Sequence, residues 1–199
     1  MNSVHAYNAI LARCKDIFDK KMSDYGPAWR ILRHESIMDQ IYIKAKRIRT
    51  IQEKKKQLVT DSIQSEYIGI INYAIMGLIQ LERGTGKPGK KLQLPGDISR
   101  MKINRLYNYY ALKAKRLFKR KNHDYGEAWR EMNHKSFNDL ILVKLFRIRQ
   151  INDNKGRIMI SEGPDANLYD IINYAIFALI KCGFREPLKT QIHPADFAD

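Results

Sequence analysis

What most constrains this chain is that it repeats itself. Asp24-Tyr25-Gly26-Pro27-Ala28-Trp29-Arg30 returns 100 positions later as Asp124-Tyr125-Gly126-Glu127-Ala128-Trp129-Arg130. Each copy continues through a Ser-x-x-Asp (Ser36 and Asp39; Ser136 and Asp139) into a Lys-x-x-Arg-Ile-Arg (Lys44 to Arg49; Lys144 to Arg149). Each then closes on the same apolar run, Ile70-Ile71-Asn72-Tyr73-Ala74-Ile75 and Ile171-Ile172-Asn173-Tyr174-Ala175-Ile176. Motif order and spacing kept across most of 199 residues mark an internal duplication. Two copies are too few for a solenoid and fit a two-fold pseudo-symmetric unit.

Within each copy the apolar residues fall at helical spacing. Tyr7, Ile10, Leu11, Cys14, Ile17 and Phe18 share one face of a helix running from His5 to about Met22. Gly26 and Pro27 break it, and Ala28-Trp29-Arg30 reads as a short helical piece. Ser36, with Asp39 three residues on, has the form of a capping box for a second helix reaching about Gln57. A third, from Ile63 to about Leu81, is apolar nearly all round and so belongs at the centre of its repeat. The second copy gives a helix through Leu106, Tyr109, Tyr110, Lys113 and Leu117, another from Ser136 to about Asn152, and a last from Asp165 to Lys181. Residues 1–83 and 98–183 are thus two repeats, 84–97 a Gly/Lys-rich linker and 184–199 an irregular tail. No segment alternates with the period of a strand. The fold expected is all-α: two tandem three-helix repeats packed as a pseudo-two-fold helical bundle.

The chain carries a formal net charge of +15, shared by both halves, which favours anionic partners. No run of about 18 apolar residues occurs, so no membrane span is expected. The start has no basic segment leading into an apolar one, which predicts a cytoplasmic protein. Cys14 and Cys182 lie on separate apolar patterns and read as free thiols of a reducing compartment.

Lys44 and Arg47, and their copies Lys144 and Arg147, are three apart on a helix and share a face that Ile48 and Ile148 turn partly inward. Cations at the edge of a core need an anion: a phosphate ligand, or a carboxylate of the chain itself. Asp170 and Asn173 share a face of the last helix. In the first repeat Asn72 stays, but Gly69 stands at the position of Asp170. Glu162, Asp165 and Asp170 make the second repeat richer in carboxylates, oxygen ligands of the kind Mg²⁺ takes together with phosphate. Asn72 and Asn173 have a structural alternative as buried amides tying helices, and Glu162 and Asp165 as helix-start charges. Tyr125 and Trp129 offer faces to a base, or else fix their loop from the core.

The combination Lys-x-x-Asp-Tyr-Gly with Trp (Lys21 to Trp29; Lys121 to Trp129), then Lys-x-x-Arg-Ile, then Asp-x-x-Asn-Tyr-Ala, resembles the nucleotide modification associated domain 1 family. That family occurs in bacteria and phages and is implicated by association in nucleotide metabolism or modification. There is a more distant likeness to MazG-like all-α nucleotide pyrophosphohydrolases, whose Mg²⁺-holding Glu-x-x-Glu is replaced here by Lys44-x-x-Arg47 and Lys144-x-x-Arg147. The resemblance implies a protein that binds a nucleotide or another phosphorylated small molecule. Lys144, Arg147 and Arg149 would meet phosphate, Tyr125 and Trp129 the base or pocket wall, and Asp170 and Asn173 would add polar recognition. Lys44, Arg47 and Asn72 would complete a composite site. The alternatives are a Mg²⁺-dependent nucleoside triphosphate pyrophosphohydrolase with Glu162, Asp165 and Asp170 as ligands, and a nucleic-acid-binding module. A homo-oligomer is compatible with any of these.

Overall fold

The computed structural model describes residues 2–87, 95–96, 98–154 and 162–184; most of the linker and the tail from 185 on lie outside them. The described residues form six α-helices and two 3₁₀ turns, with no strand. The first repeat holds α1 (Ser3–Tyr25), α2 (His34–Lys54) and α3 (Ile63–Arg83). The second holds α4 (Arg100–Tyr125), α5 (His134–Asp153) and α6 (Pro164–Lys181). A 3₁₀ turn, Ala28–Ile31 or Ala128–Arg130, joins the first two helices of each. The fold is therefore the tandem all-α repeat that the spacing predicts.

Asn2, Ser62 and Ser99 cap α1, α3 and α4, each side-chain oxygen accepting from a backbone amide two or three residues on. Gly26 and Gly126, with φ of +59° and +55°, end α1 and α4 in the left-handed region and turn the chain. One expectation is corrected. Ser36 and Ser136 do not cap the second helices, which begin earlier, at His34 and His134. The 3₁₀ turn delivers an extended residue three positions sooner, at Arg33 and Asn133, and in the second repeat Asn133 accepts from the Lys135 amide at 3.0 Å to make the cap.

The two repeats face each other through reciprocal contacts. Tyr7 stacks on Phe118 with centroids 4.5 Å apart, and Phe18 meets Tyr107 at 4.5 Å, so α1 and α4 run antiparallel. Asp39 pairs with Arg149 at 3.3 Å and Arg49 with Asp139 at 3.8 Å, which crosses α2 and α5 in the same sense. At the centre α3 and α6 pack on one another and on every other helix pair, and their apolar residues join a single core. Burial of this continuous apolar surface is what holds the halves together.

Asn72 and Asn173 sit inside that core. The Tyr107 hydroxyl donates to Asn72 Oδ1 at 2.6 Å, and Asn72 Nδ2 donates to the Cys14 carbonyl at 3.1 Å. The Tyr7 hydroxyl donates to Asn173 Oδ1 at 2.7 Å. The two tyrosine bonds each join the first helix of one repeat to the last helix of the other, and the Asn72–Cys14 bond ties α3 to α1 within the first repeat. Both amides are buried, so the structure places them in helix-to-helix ties rather than at a ligand-facing surface.

Candidate functional site

The duplicated cations stand on the second helix of each repeat, facing the third. In the first repeat Lys44 Nζ lies 3.0 Å from Glu66 Oε2 and Arg47 Nη1 2.5 Å from Glu66 Oε1. Arg47 also donates to the Asp61 carbonyl at 2.7 Å. Lys44 reaches Glu66 by lying across Gly69: a Cβ added there would be 2.7 Å from Lys44 Cε. Both first-repeat cations are thus paired within the chain, to a single carboxylate.

The second repeat does this differently. Asn167 occupies the position of Glu66, and its side chain is turned to the carbonyls of Glu162 and Gly163. The acid is one turn further along, at Asp170, where the first repeat has Gly69. Asp170 is 5% exposed and is gripped from both sides: Lys144 Nζ is 2.6 Å from Oδ2 and Lys121 Nζ 2.7 Å from Oδ1. Burial would lower the Lys121 pKa, but its hydrogen bond to Asp170 and that carboxylate's charge outweigh burial and raise it. Arg147, unlike Arg47, is exposed and makes no ion pair among the described residues. Its charge still reaches the Tyr174 hydroxyl. Burial and then Asp170 raise that hydroxyl's pKa, and Lys121 and Arg147 oppose them, so these groups surround one point.

Lys121 and Asp170 also form one end of a cleft of ≈ 370 Å³ between α4 and α6. Lys113, Arg116 and Arg120 make its α4 wall, each three or four residues from the next and so on one face. None of the three has an ion pair among the described residues, although Lys113 Nζ stands 5.1 Å from the Tyr169 ring centroid. Glu162 and Asp165 lie on the opposite wall at the start of α6. In the first repeat the matching wall is closed by its own charges. Asp16 stands at the position of Arg116 and pairs with Arg13 at 2.9 Å and Lys20 at 2.9 Å.

Other expected residues lie elsewhere. Trp129 is 7% exposed, its ring stacked on Phe177 at 4.6 Å and carrying the Arg130 guanidinium at 4.7 Å; Nε1 donates to Asn122 at 3.0 Å. Both its faces and its N–H are engaged in holding the 3₁₀ turn. Tyr125 is 70% exposed, beside the Lys121 clamp. Arg149, five positions beyond Lys144 on a helix of about 3.6 residues per turn, points into the α2–α5 seam toward Asp39.

Among the described residues no three of His, Cys, Asp and Glu come close enough to hold a metal ion. Glu162, Asp165 and Asp170 share the cleft, but Asp170 is occupied by two lysines, and Asp165 lies in the first turn of α6, where a carboxylate suits the helix dipole.

Sequence reasoning missed the α4 wall. The signal was available: Arg13, Asp16 and Lys20 alternate in sign where Lys113, Arg116 and Arg120 do not.

No described helix is long and apolar enough to cross a membrane. A family model described as nucleotide modification associated domain 1 matches residues 21–81 and again residues 121–182. No curated protein and no solved structure matches the chain.

Proposed function

The chain belongs to the nucleotide modification associated domain 1 family, in both of its halves, and from that premise we propose that it binds a phosphate-bearing ligand of the nucleotide class in the α4–α6 cleft of the second repeat. The observation that carries the reading is the α4 wall: Lys113, Arg116 and Arg120 line a cleft with no carboxylate among the described residues paired to them, whereas every matching charge in the first repeat is paired. Guanidinium groups offer planar forks that grip phosphate with two bonds each. Set on a rigid helix, their backbone is already fixed, and only the side chains are ordered on binding. The Lys121–Asp170–Lys144 clamp fixes one end of the wall, and Arg147 and Tyr125 stand beside it. Glu162 and Asp165 would repel a bare phosphate. A divalent cation entering with the ligand screens them, and Mg²⁺ commonly arrives held by phosphate oxygens and one or two carboxylates.

Thermal unfolding with nucleoside triphosphates and inorganic tripolyphosphate, with and without Mg²⁺, tests this. A ligand at about 100 times its Kd stabilises by about 2.7 kcal/mol, which raises Tm by roughly 5–10 °C in a chain of this size. Mg²⁺ should enlarge the shift. Arg116→Asp with Arg120→Asp should abolish it, and Arg13→Asp with Lys20→Asp, the matching change in the first repeat, should leave it. No shift with any of these anions sinks the reading. Binding only to long polynucleotides, with affinity falling steeply as salt rises, would replace it by the nucleic-acid alternative.

A further inference from the structure

The cleft differs from one end to the other. Lys113, Arg116, Arg120 and Lys121 line it from α4, and Tyr109 and Tyr110 stand just before them on the same side of the helix, outside the lining itself, the whole run covering about 18 Å of helix. The cations occupy the last turns. The first turns are aromatic: Tyr109, half exposed, meets Tyr110 edge-on at 5.1 Å, and Tyr110 lies 6.5 Å from Tyr169 across on α6. Tyr169 lines the cleft and is 5% exposed, yet its hydroxyl has no hydrogen-bond partner among the described residues. A buried tyrosine hydroxyl normally finds one. Burial, then the charges of Tyr109, Asp165 and Glu82, push its pKa up, so it remains a protonated donor.

The first repeat lacks these rings, although its own Tyr67 is likewise buried with its hydroxyl unpartnered among the described residues. Ala9, Ile10 and Ile68 stand where the second has Tyr109, Tyr110 and Tyr169. The repeat with the unpaired cationic wall is thus also the one with aromatic rings at the far end. A ligand with anionic groups at one end and a flat, hydrogen-bonding ring at the other fits both departures at once.

Resting on the phosphate reading above, we infer that the ligand is a nucleoside polyphosphate lying along α4, with its phosphates on Arg116, Arg120 and Lys121 and its base against Tyr169, whose hydroxyl donates to an acceptor on the base edge. Lys113, over the Tyr169 ring, sits at the junction and meets the phosphate nearest the sugar.

Equilibrium binding of the four ribonucleoside triphosphates and of inorganic tripolyphosphate, all with Mg²⁺, separates this inference from the one it rests on. At least one nucleoside triphosphate should bind about 10-fold or more tightly than tripolyphosphate, the order expected for stacking one base on an aromatic side chain. Tyr169→Phe, which keeps the ring, should weaken that nucleotide by about 2- to 10-fold and leave tripolyphosphate unchanged. Tyr109→Ala should act in the same direction. If tripolyphosphate binds as tightly as every nucleotide, the phosphate reading survives and the base assignment is overturned. A nucleotide preference that Tyr169→Phe leaves intact overturns the placing of the base. An equal loss of both ligands makes Tyr169 structural and overturns it too. If neither ligand binds, both readings fall.

Discussion

Both repeats neutralise the lysine of the second helix with a buried acid on the third, but they take that acid from different turns. The first uses Glu66 and leaves Gly69 bare so that Lys44 can lie across it. The second has Asn167 and Asp170 at those two positions, and Lys144 stops one turn short. The first arrangement draws in Arg47 as well and closes the group. The second releases Arg147, captures Lys121 from α4 instead, and so ties its clamp to the wall of a cleft. The lesson is that moving one carboxylate by three residues leaves the core neutralised while changing which cations face outward.

The largest effects should come from removing these acids. Asp170→Ala leaves Lys144, only 12% exposed at its side chain, without a partner, and breaking a buried pair in this way costs about 3–5 kcal/mol. Glu66→Ala should cost less, about 2–3 kcal/mol, because Lys44 and Arg47 are roughly a quarter exposed and can turn to water. The comparison is sharpened by transplanting the second arrangement into the first. Glu66→Asn alone destabilises, and adding Gly69→Asp should return at least about 1 kcal/mol of that loss, since only the flexible end of Lys44 must move. Denaturant titration of the singles and the double gives the coupling. Plain additivity would mean that the two acids are not equivalent.

The paired asparagines come next. Asn72 bonds both the Tyr107 hydroxyl and the Cys14 carbonyl, whereas Asn173 bonds the Tyr7 hydroxyl and its Nδ2 has no partner among the described residues. Asn72→Ala should therefore cost about 2–3 kcal/mol and Asn173→Ala about 1–2 kcal/mol. Equal losses would break this asymmetry.

The smallest effect is on pH. Burial lowers the pKa of His34 and of His134, the Glu35 charge opposing it at the first and the Lys181 charge adding to it at the second. The unfolded chain then binds more protons below about pH 6.5, the ordinary histidine value, so stability falls as pH drops from neutral toward 5. His34 Nε2 is buried without a partner among the described residues, while His134 Nε2 lies 2.8 Å from Cys182 Sγ. His34→Gln should flatten the acid slope more than His134→Gln. A larger effect at His134 would show that the cysteine contact, not burial, sets the difference.

The fold was legible because duplication fixes more than propensity does: two copies of the same helical spacing admit few packings other than a two-fold one. The clamp was half legible. Gly69 against Asp170 reads as an acid lost from the first repeat, and only the coordinates reveal Glu66 performing that neutralisation a turn earlier. Trp129, Asn72 and Asn173 carry ligand-like chemistry in a string of letters, but stacking on Phe177 and the tyrosine hydroxyls account for them. A residue's partners across the bundle are not encoded in its own spacing. The α4 wall escaped because solvent-facing lysines and arginines look alike until a concave surface gathers them.

The crossed tyrosine–asparagine bonds bear on how such a molecule can come together. A solitary copy of this unit would hold an amide with no hydroxyl and a ring with no stacking mate until another copy arrived, and dilution would keep it waiting. With both copies on one strand the second is always at hand, at an effective concentration set by the connecting segment. Cutting that segment would make assembly depend on how much protein is in the tube.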